Sequence, residues 1–135
     1  MALIDWSDSY SVKIKEIDNQ HAKLVGIINE LHTAMKEGKG KETIGKVLDE
    51  LINYTEVHFK FEESLMGKNN YPELYPHKIQ HVELVRQVME FKKNLIAGNV
   101  VLSQEVQSFL KKWLVDHIIG TDKKYTPFLN SKGIS

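Results

Sequence analysis

Apolar residues recur at alternating spacings of three and four along most of the chain, which is the period of amphipathic α-helices. The first of these seams runs from Ile17 to Met35, and three more follow it. Short stretches that contain glycine, asparagine or proline separate each seam from the next. The pattern predicts four long helices and one short C-terminal helical segment, over residues 18–37, 41–66, 73–97, 103–119 and 122–130.

Four amphipathic helices with short connections are predicted to form an all-α, antiparallel up-down-up-down four-helix bundle. Residues 1–16 have too little periodicity for a helix, yet they contain apolar side chains such as Trp6 and Val12. An extended N-terminal arm that packs on the bundle is therefore expected. Asp18 is predicted to cap the first helix, and Gly38 to end it. The chain is interpreted as a single domain over residues 1–135.

Composition and charge exclude several classes of partner. The chain carries 18 lysines and arginines against 18 aspartates and glutamates, so it offers no basic surface for nucleic acid or anionic lipid. Asp5 and Asp8 lie where a signal peptide would carry positive charge, and no apolar run approaches membrane-spanning length. A cytoplasmic protein without membrane insertion is expected. No exposed apolar stripe is predicted beyond the four helix seams, which favours a monomer.

Histidine is the residue type that carries the candidate chemistry. The sequence contains no cysteine, so any metal must be bound by imidazole and carboxylate groups. The sixth histidine, His32, lies off its seam and is expected to be a surface or boundary residue. Without a metal, a cluster of buried imidazoles would cost about 1–3 kcal/mol for each unpaired group. Five histidines lie on the seams at the same predicted end of the bundle: His21, His58, His77, His81 and His117.

Two carboxylates complete the predicted metal site. Glu62 follows His58 by four residues and therefore shares its helix face. Asp122 follows His117 by five residues, which is about 140° around a continuous helix and would point it away from the site. A break at Gly120 and Thr121 would turn Asp122 back inward. Tyr125 could reach the site as a hydrogen-bond donor, but the preferred interpretation is a packing aromatic at a helix end.

The spacing of these residues resembles that of the hemerythrins. The matching motifs are His21, His58-Phe59-x-x-Glu62, His77-x-x-x-His81 and His117-x-x-x-x-Asp122, with Trp6 and the Asp18-x-Gln20-His21 lead-in. In length, the chain resembles the single-domain bacteriohemerythrins. The resemblance implies two non-haem iron ions, bridged by Glu62, Asp122 and a solvent-derived oxo or hydroxo group. It assigns His77, His81 and His117 to one iron, and His21 and His58 to the other.

This assignment implies reversible binding of dioxygen. Three imidazoles and three bridges complete six coordination at one iron, whereas two imidazoles and the same bridges leave one position open at the other. Imidazoles donate less charge than the carboxylate-rich ligand sets of di-iron oxygenases, which disfavours cleavage of the oxygen–oxygen bond. The expected function is oxygen carriage, storage or delivery, with no enzymatic turnover.

An apolar wall is expected to keep the oxygen pocket dry and to slow oxidation of the iron. Its predicted members lie about one helical turn from the ligands or beside them: Leu24, Val25, Phe59, Trp113 and Leu114. Two other functions stay open, namely a di-iron enzyme that reduces peroxide or nitric oxide and a sensor of oxygen or iron. The sequence also leaves open whether the oxygen is passed to an oxidase, buffered or scavenged.

Overall fold

The structure is a computed structural model that describes residues 4–39, 41–97 and 103–135. The predicted all-α four-helix bundle is confirmed, and no strand occurs within these ranges. Helix α1 packs on α2 and α4, and α2 packs on α3. No helix in the described ranges is long and apolar enough to cross a membrane. The helices are α1 (Lys15–Lys36), α2 (Lys41–Lys68), α3 (Leu74–Ile96), α4 (Ser103–Asp116) and α5 (Thr126–Ser131).

The first helix begins three residues earlier than predicted, and Asp18 is not its cap. Helix α1 starts at Lys15, which places Asp18 inside the first turn. Its carboxylate instead accepts hydrogen bonds from the Val12 backbone N–H at 2.8 Å and from the Ser11 hydroxyl at 2.6 Å. The arm folds back over the start of the helix, so the side chain stabilises the arm rather than the helix end. Gly38 follows the helix with a φ of 69°, in the left-handed region that glycine favours.

The connection between α2 and α3 is shorter than predicted. Helix α2 continues through Gly67 to Lys68, two residues beyond the predicted end. Asn70 then adopts a φ of 57°, and the Tyr71 backbone N–H donates to the Met66 carbonyl at 2.9 Å. Pro76 lies in the first turn of α3, where a missing N–H costs no helical hydrogen bond. This tight connection brings the end of α2 against the start of α3.

The arm and the C-terminal segment close the same end of the bundle. The side chain of Asn29 holds the arm by hydrogen bonds with both backbone groups of Ile4, at 2.9 and 3.0 Å. The hydroxyl of Thr126, at the start of α5, donates to the Val12 carbonyl at 2.7 Å. Val12 and Leu129 are fully buried. The arm at Val12 and the C-terminal segment at Thr126 therefore cover the end of the bundle where the predicted ligands lie.

The expectation that no apolar stripe is exposed was wrong. The outer face of α3 exposes Tyr75, Ile79, Val82 and Met89, each with more than half of its surface in solvent. These residues repeat at spacings of four, three and seven, which is the same period as the core seam of that helix. Each lies two residues before a seam position, about 200° around the helix, so the two stripes lie on opposite faces.

Candidate metal centre

The structure brings all seven predicted ligands together in the interior of the bundle. None of their side chains is more than 4% exposed. They form two groups of potential donor atoms, and the donor atoms within each group lie within 4.8 Å of one another. Glu62 belongs to both groups. The larger group contains Glu62, His77, His81, His117 and Asp122, and the smaller contains His21, His58 and Glu62.

The two carboxylates lie between the histidine groups. Oδ1 of Asp122 is 2.8 Å from Nε2 of His77 and 2.9 Å from Nε2 of His117, whereas Oδ2 is 3.0 Å from Nε2 of His21. Each oxygen of Asp122 therefore faces a different histidine group. Oε1 of Glu62 lies 3.3 Å from Nε2 of His81 and 3.5 Å from Nε2 of His58, and Oε2 lies 3.6 Å from Nε2 of His21. Both carboxylates therefore lie close to both histidine groups, as bridging ligands would.

A π-helical turn directs Asp122 inward. The chain continues from α4 into a π-helix over His117–Thr121 and then a 3₁₀ turn over Asp122–Tyr125. In the π-helix the hydrogen bonds span five residues, and the backbone N–H of Asp122 donates to the His117 carbonyl. Residues five apart are thereby brought to the same side. The predicted break is therefore a wider helical turn, and Asp122 is fully buried beside His117.

Three of the histidines are oriented by polar side chains on a neighbouring helix. Nδ1–H of His58 donates to Oε1 of Gln20 at 2.6 Å, and Nδ1–H of His117 donates to Oε1 of Gln80 at 3.0 Å. Nδ1–H of His81 donates to Oε2 of Glu63 at 2.8 Å. A proton fixed on Nδ1 leaves the Nε2 lone pair for a metal.

The donor set fits a bound cation. With both Nδ1 protons engaged, the Nε2 lone pairs of His81 and His117 face each other at 3.2 Å, which is repulsive without a positive charge nearby. Several further buried nitrogen and oxygen atoms lack a hydrogen-bond partner, and each unpaired atom costs about 1–3 kcal/mol of folding free energy. They are Nδ1 and Nε2 of His21, Oε1 of Glu62, Nε2 of His77, and Oδ1 and Oδ2 of Asp122. A metal bound at this position would satisfy most of these atoms at once.

Burial and charge perturb the pKa values in this cluster. Burial lowers the pKa of His58 to about 4, despite the charge of Glu62 beside it. Burial also disfavours the charged form of His21, but the carboxylates of Asp122 and Glu62 outweigh it and raise the pKa of His21 to about 9. Burial would by itself raise the pKa of Glu62 and Asp122, yet the surrounding imidazoles hold both below their usual range. The interior thus contains two ionised carboxylates, which favours a cation.

Tyr125 is a hydrogen-bond donor to the site, so its prediction as a packing aromatic alone was wrong. Its phenolic O–H donates to Oε2 of Glu62 at 2.6 Å, and the side chain is fully buried. Its ring also stacks on His77, with centroids 5.7 Å apart and planes 16° apart. Tyr125 is the last residue of the 3₁₀ turn that begins at Asp122.

The comparison with known proteins agrees with this geometry. Residues 12–129 match the family model described as the hemerythrin HHE cation binding domain. The chain belongs to the hemerythrin family. Similar hemerythrins include the bacteriohemerythrin of Methylococcus capsulatus, which is 36% identical over 97% of this chain and 100% of that protein. The bacteriohemerythrin of Stenotrophomonas maltophilia is 37% identical over 93% of this chain and 80% of that protein. A crystal structure of wild-type hemerythrin shares a TM-score of 0.88 and 36% identity, covering 95% of this chain and 98% of that one.

Two of the five residues predicted to form the apolar wall of this hemerythrin lie against ligand rings. Phe59 is parallel to His81, with centroids 3.6 Å and planes 1° apart, and Trp113 stacks on His117 with centroids 4.7 Å apart. Trp113 is half-buried and also lines a surface groove of about 360 Å³ with Gln80 and Thr121. The other three predicted members are buried core residues: Leu24, Val25 and Leu114.

His32 lies apart from the hemerythrin ligand cluster, as its position off the seam predicted. It is half-buried, and its Nδ1 is hydrogen-bonded to Oε1 of Gln107 in α4. It belongs to neither group of potential metal donors within the described residues. Its interaction links α1 to α4 away from the site.

Glu63 and Gln80 were not predicted as parts of the hemerythrin site, and Gln20 was identified only as part of the motif before His21, without an orienting role. Each is adjacent in sequence to a ligand on its own helix and reaches a ligand on the next one. A polar residue at the edge of a helix seam, directly beside a ligand, is the sequence signal that indicates them. The residue that each one contacts depends on the packing of the helices.

Proposed function

We propose that this hemerythrin-family protein binds dioxygen reversibly at a pair of iron ions, for carriage, storage or delivery and without enzymatic turnover. The observation that supports the proposal is the division of the buried donors into two groups with three and two imidazoles, joined by carboxylates. The unequal number of imidazoles leaves one metal with fewer protein ligands than the other. That metal is the one available to an exogenous ligand.

The protein residues that would hold the two ions follow from the two groups. His77, His81 and His117 would hold one, and His21 and His58 would hold the other. Glu62 and Asp122 would bridge them, because their oxygens face both groups. A pair of ferrous ions held there would supply the reversible redox chemistry that dioxygen binding needs.

The protein's own contribution is to fix this ligand set and to keep water out. Gln20, Glu63 and Gln80 hold three imidazoles in one tautomer, so the ligands need no rearrangement when a metal binds. Tyr125 fixes the rotation of Glu62 through one oxygen and leaves the other, Oε1, directed at the histidines. Phe59 and the buried aliphatic residues exclude water and thereby slow proton transfer to bound oxygen.

The proposal is tested on purified protein reconstituted with ferrous iron under argon. We expect about two irons per chain, a visible absorption band on exposure to air, and loss of that band on degassing. One metal per chain would contradict the di-iron assignment. Rapid conversion to a ferric form with turnover of added peroxide or nitric oxide would instead favour the enzymatic alternative, which the same absorption experiment would detect.

A further inference from the structure

The three residues that orient the histidine ligands are not equivalent in charge. Gln20 and Gln80 present neutral amide oxygens to His58 and His117, whereas Glu63 presents a carboxylate to His81. This carboxylate is 23% exposed, and no lysine or arginine nitrogen in the described part of the chain lies within 4.0 Å of it. Its charge is therefore directed mainly at the imidazole.

A carboxylate that accepts the Nδ1 proton makes the opposite ring nitrogen a stronger donor, more than an amide does. Nε2 of His81 lies 3.3 Å from Oε1 of Glu62 and 3.2 Å from Nε2 of His117, so this donor atom faces the three-histidine group. The parallel ring of Phe59, 3.6 Å away, prevents His81 from rotating out of line. Glu63 therefore acts mainly on the three-histidine half of the site.

We propose that Glu63 makes the metal held by His77, His81 and His117 the first of the two to be oxidised, while the neutral Gln20 helps keep the metal beside His21 and His58 ferrous. This inference rests on the proposed di-iron function and specifies how the two halves differ. In each step a ferrous ion loses one electron to an external one-electron acceptor such as ferricyanide. Glu63 acts through His81 and is a positioning and tuning residue, not a ligand.

This asymmetry would protect the metal beside His21 and His58, which has fewer protein ligands, from the first oxidation. An oxidising equivalent that reaches the site is taken first by the metal that already has its full set of protein ligands. The metal with fewer protein ligands stays ferrous, and one electron from an external reductant restores the ferrous pair that dioxygen binding requires. A site with two equal halves would lose this preference.

Stepwise oxidation of the iron-loaded protein with ferricyanide tests the inference, with the absorption spectrum as readout. Replacement of Glu63 by Gln retains a hydrogen-bond acceptor and removes the charge. We expect Glu63→Gln to shift the first oxidation equilibrium about tenfold towards the ferrous form, which corresponds to 59 mV for a one-electron step. The equilibrium of the second oxidation step should shift much less. Glu90→Gln, at an exposed position on the outer face of α3, is the matched control and should leave both steps unchanged.

Two further variants add the same charge to opposite halves. Gln20→Glu should bring the two oxidation steps closer together, because it stabilises the ferric state on the two-histidine side. Gln80→Glu should move them further apart, because it adds a second carboxylate to the three-histidine side. Long-range effects of net charge are the same in both variants, so a difference between them isolates the local hydrogen bond. This pair also keeps the test valid if Glu63→Gln folds poorly.

The outcomes separate this inference from the proposed function. If wild-type protein binds two irons and oxygen reversibly, but Gln20→Glu and Gln80→Glu shift both steps equally, the inference is wrong and the function stands. The inference would also be wrong if Glu63→Gln retained two irons and its first oxidation equilibrium were the same as that of the wild-type protein. Wild-type protein that does not bind two irons would overturn both proposals.

Discussion

Tyr125 shows how one buried polar group defines the position of a metal ligand. A carboxylate can rotate about its terminal bond, and a rotation of Glu62 would direct Oε1 away from His81. The hydrogen bond of 2.6 Å from Tyr125 to Oε2 prevents this rotation. Burial and the neighbouring charge of Glu62 raise the pKa of Tyr125 well above its usual value, so the phenol keeps its proton. The group therefore remains a hydrogen-bond donor at neutral pH.

Replacement of Tyr125 by Phe should lower the affinity for metal and leave the fold intact. The variant retains the ring that stacks on His77 and loses only the hydroxyl. Loss of a hydrogen-bonding partner near a metal ligand typically costs about 10- to 100-fold in affinity. Iron titration with a competing chelator measures this. Tyr71→Phe is the matched control, because Tyr71 is also a buried aromatic beside Tyr125 and, among the described residues, its hydroxyl makes no hydrogen bond to a ligand. Equal affinities in both variants would contradict the assigned role.

Replacement of His32 by Ala should leave the iron content and the oxygen spectrum unchanged. His32 contacts Gln107 and belongs to neither donor group in the described structure. The variant loses one partly buried hydrogen bond between α1 and α4, so the free energy of unfolding should fall by about 1 kcal/mol. Metal analysis and urea denaturation check both statements. Loss of iron would show that the choice of five histidines from six is wrong.

At the scale of the helices, the π-helical turn is the feature that completes the site. The sequence predicted that Asp122 turns inward, and it attributed this to a break at Gly120. In the structure Gly120 has an ordinary negative φ, and a Cβ added there would meet nothing within 4 Å. The five-residue hydrogen-bond spacing, not the freedom of glycine, brings Asp122 beside His117.

Replacement of Gly120 by Ala should therefore keep the metal site and raise stability slightly. The expected gain in the free energy of unfolding is about 0.4–1 kcal/mol, from lower entropy of the unfolded chain. Thermal or urea denaturation and iron analysis measure the two effects. Insertion of an alanine after the exposed Ile119 is the informative comparison, because it places Asp122 six residues after His117 and rotates it by about 100° away from its present position. Iron binding that survives this insertion would contradict the role of the turn.

The helix seams could be predicted from the sequence because core packing and ligand placement share one period. His21, His77 and His81 occupy positions that would otherwise be apolar, so the pattern that indicates a helix also indicates the ligands. Gln20 and Glu63 could not be predicted as orienting residues in the same way. Their partners lie on another helix, 38 and 18 residues away, and depend on how two helices are rotated against each other. Sequence periodicity defines a face, but it does not define that rotation.

At the scale of the whole molecule, the bundle carries a polar cluster that a metal-free core tolerates poorly. Metal binding should therefore stabilise the fold as a whole. Iron at 100 to 1,000 times its dissociation constant should add about 3–4 kcal/mol to the free energy of unfolding, which raises the melting temperature by about 10 °C. Calorimetry with and without a chelator measures the difference. Identical melting temperatures would show that the cluster binds no iron under those conditions.

The stability of the metal-free protein should have a maximum near pH 6.5, because His58 and His21 titrate in opposite directions. The folded state lowers the pKa of His58 to about 4, so its contribution is present above pH 6.5 and is lost as the pH falls towards 4.

His21 has a raised pKa of about 9, so its contribution is present below pH 6.5 and is lost as the pH rises towards 9. Each shift corresponds to about 3 kcal/mol. Acidification below pH 4 adds the loss from Glu62 and Asp122, whose pKa values are also lowered. Urea denaturation of chelator-treated protein from pH 4 to 9 measures the profile. His21→Gln should abolish the decline on the alkaline side and leave the acid side intact. A decline that persists in this variant would assign the alkaline effect to another group.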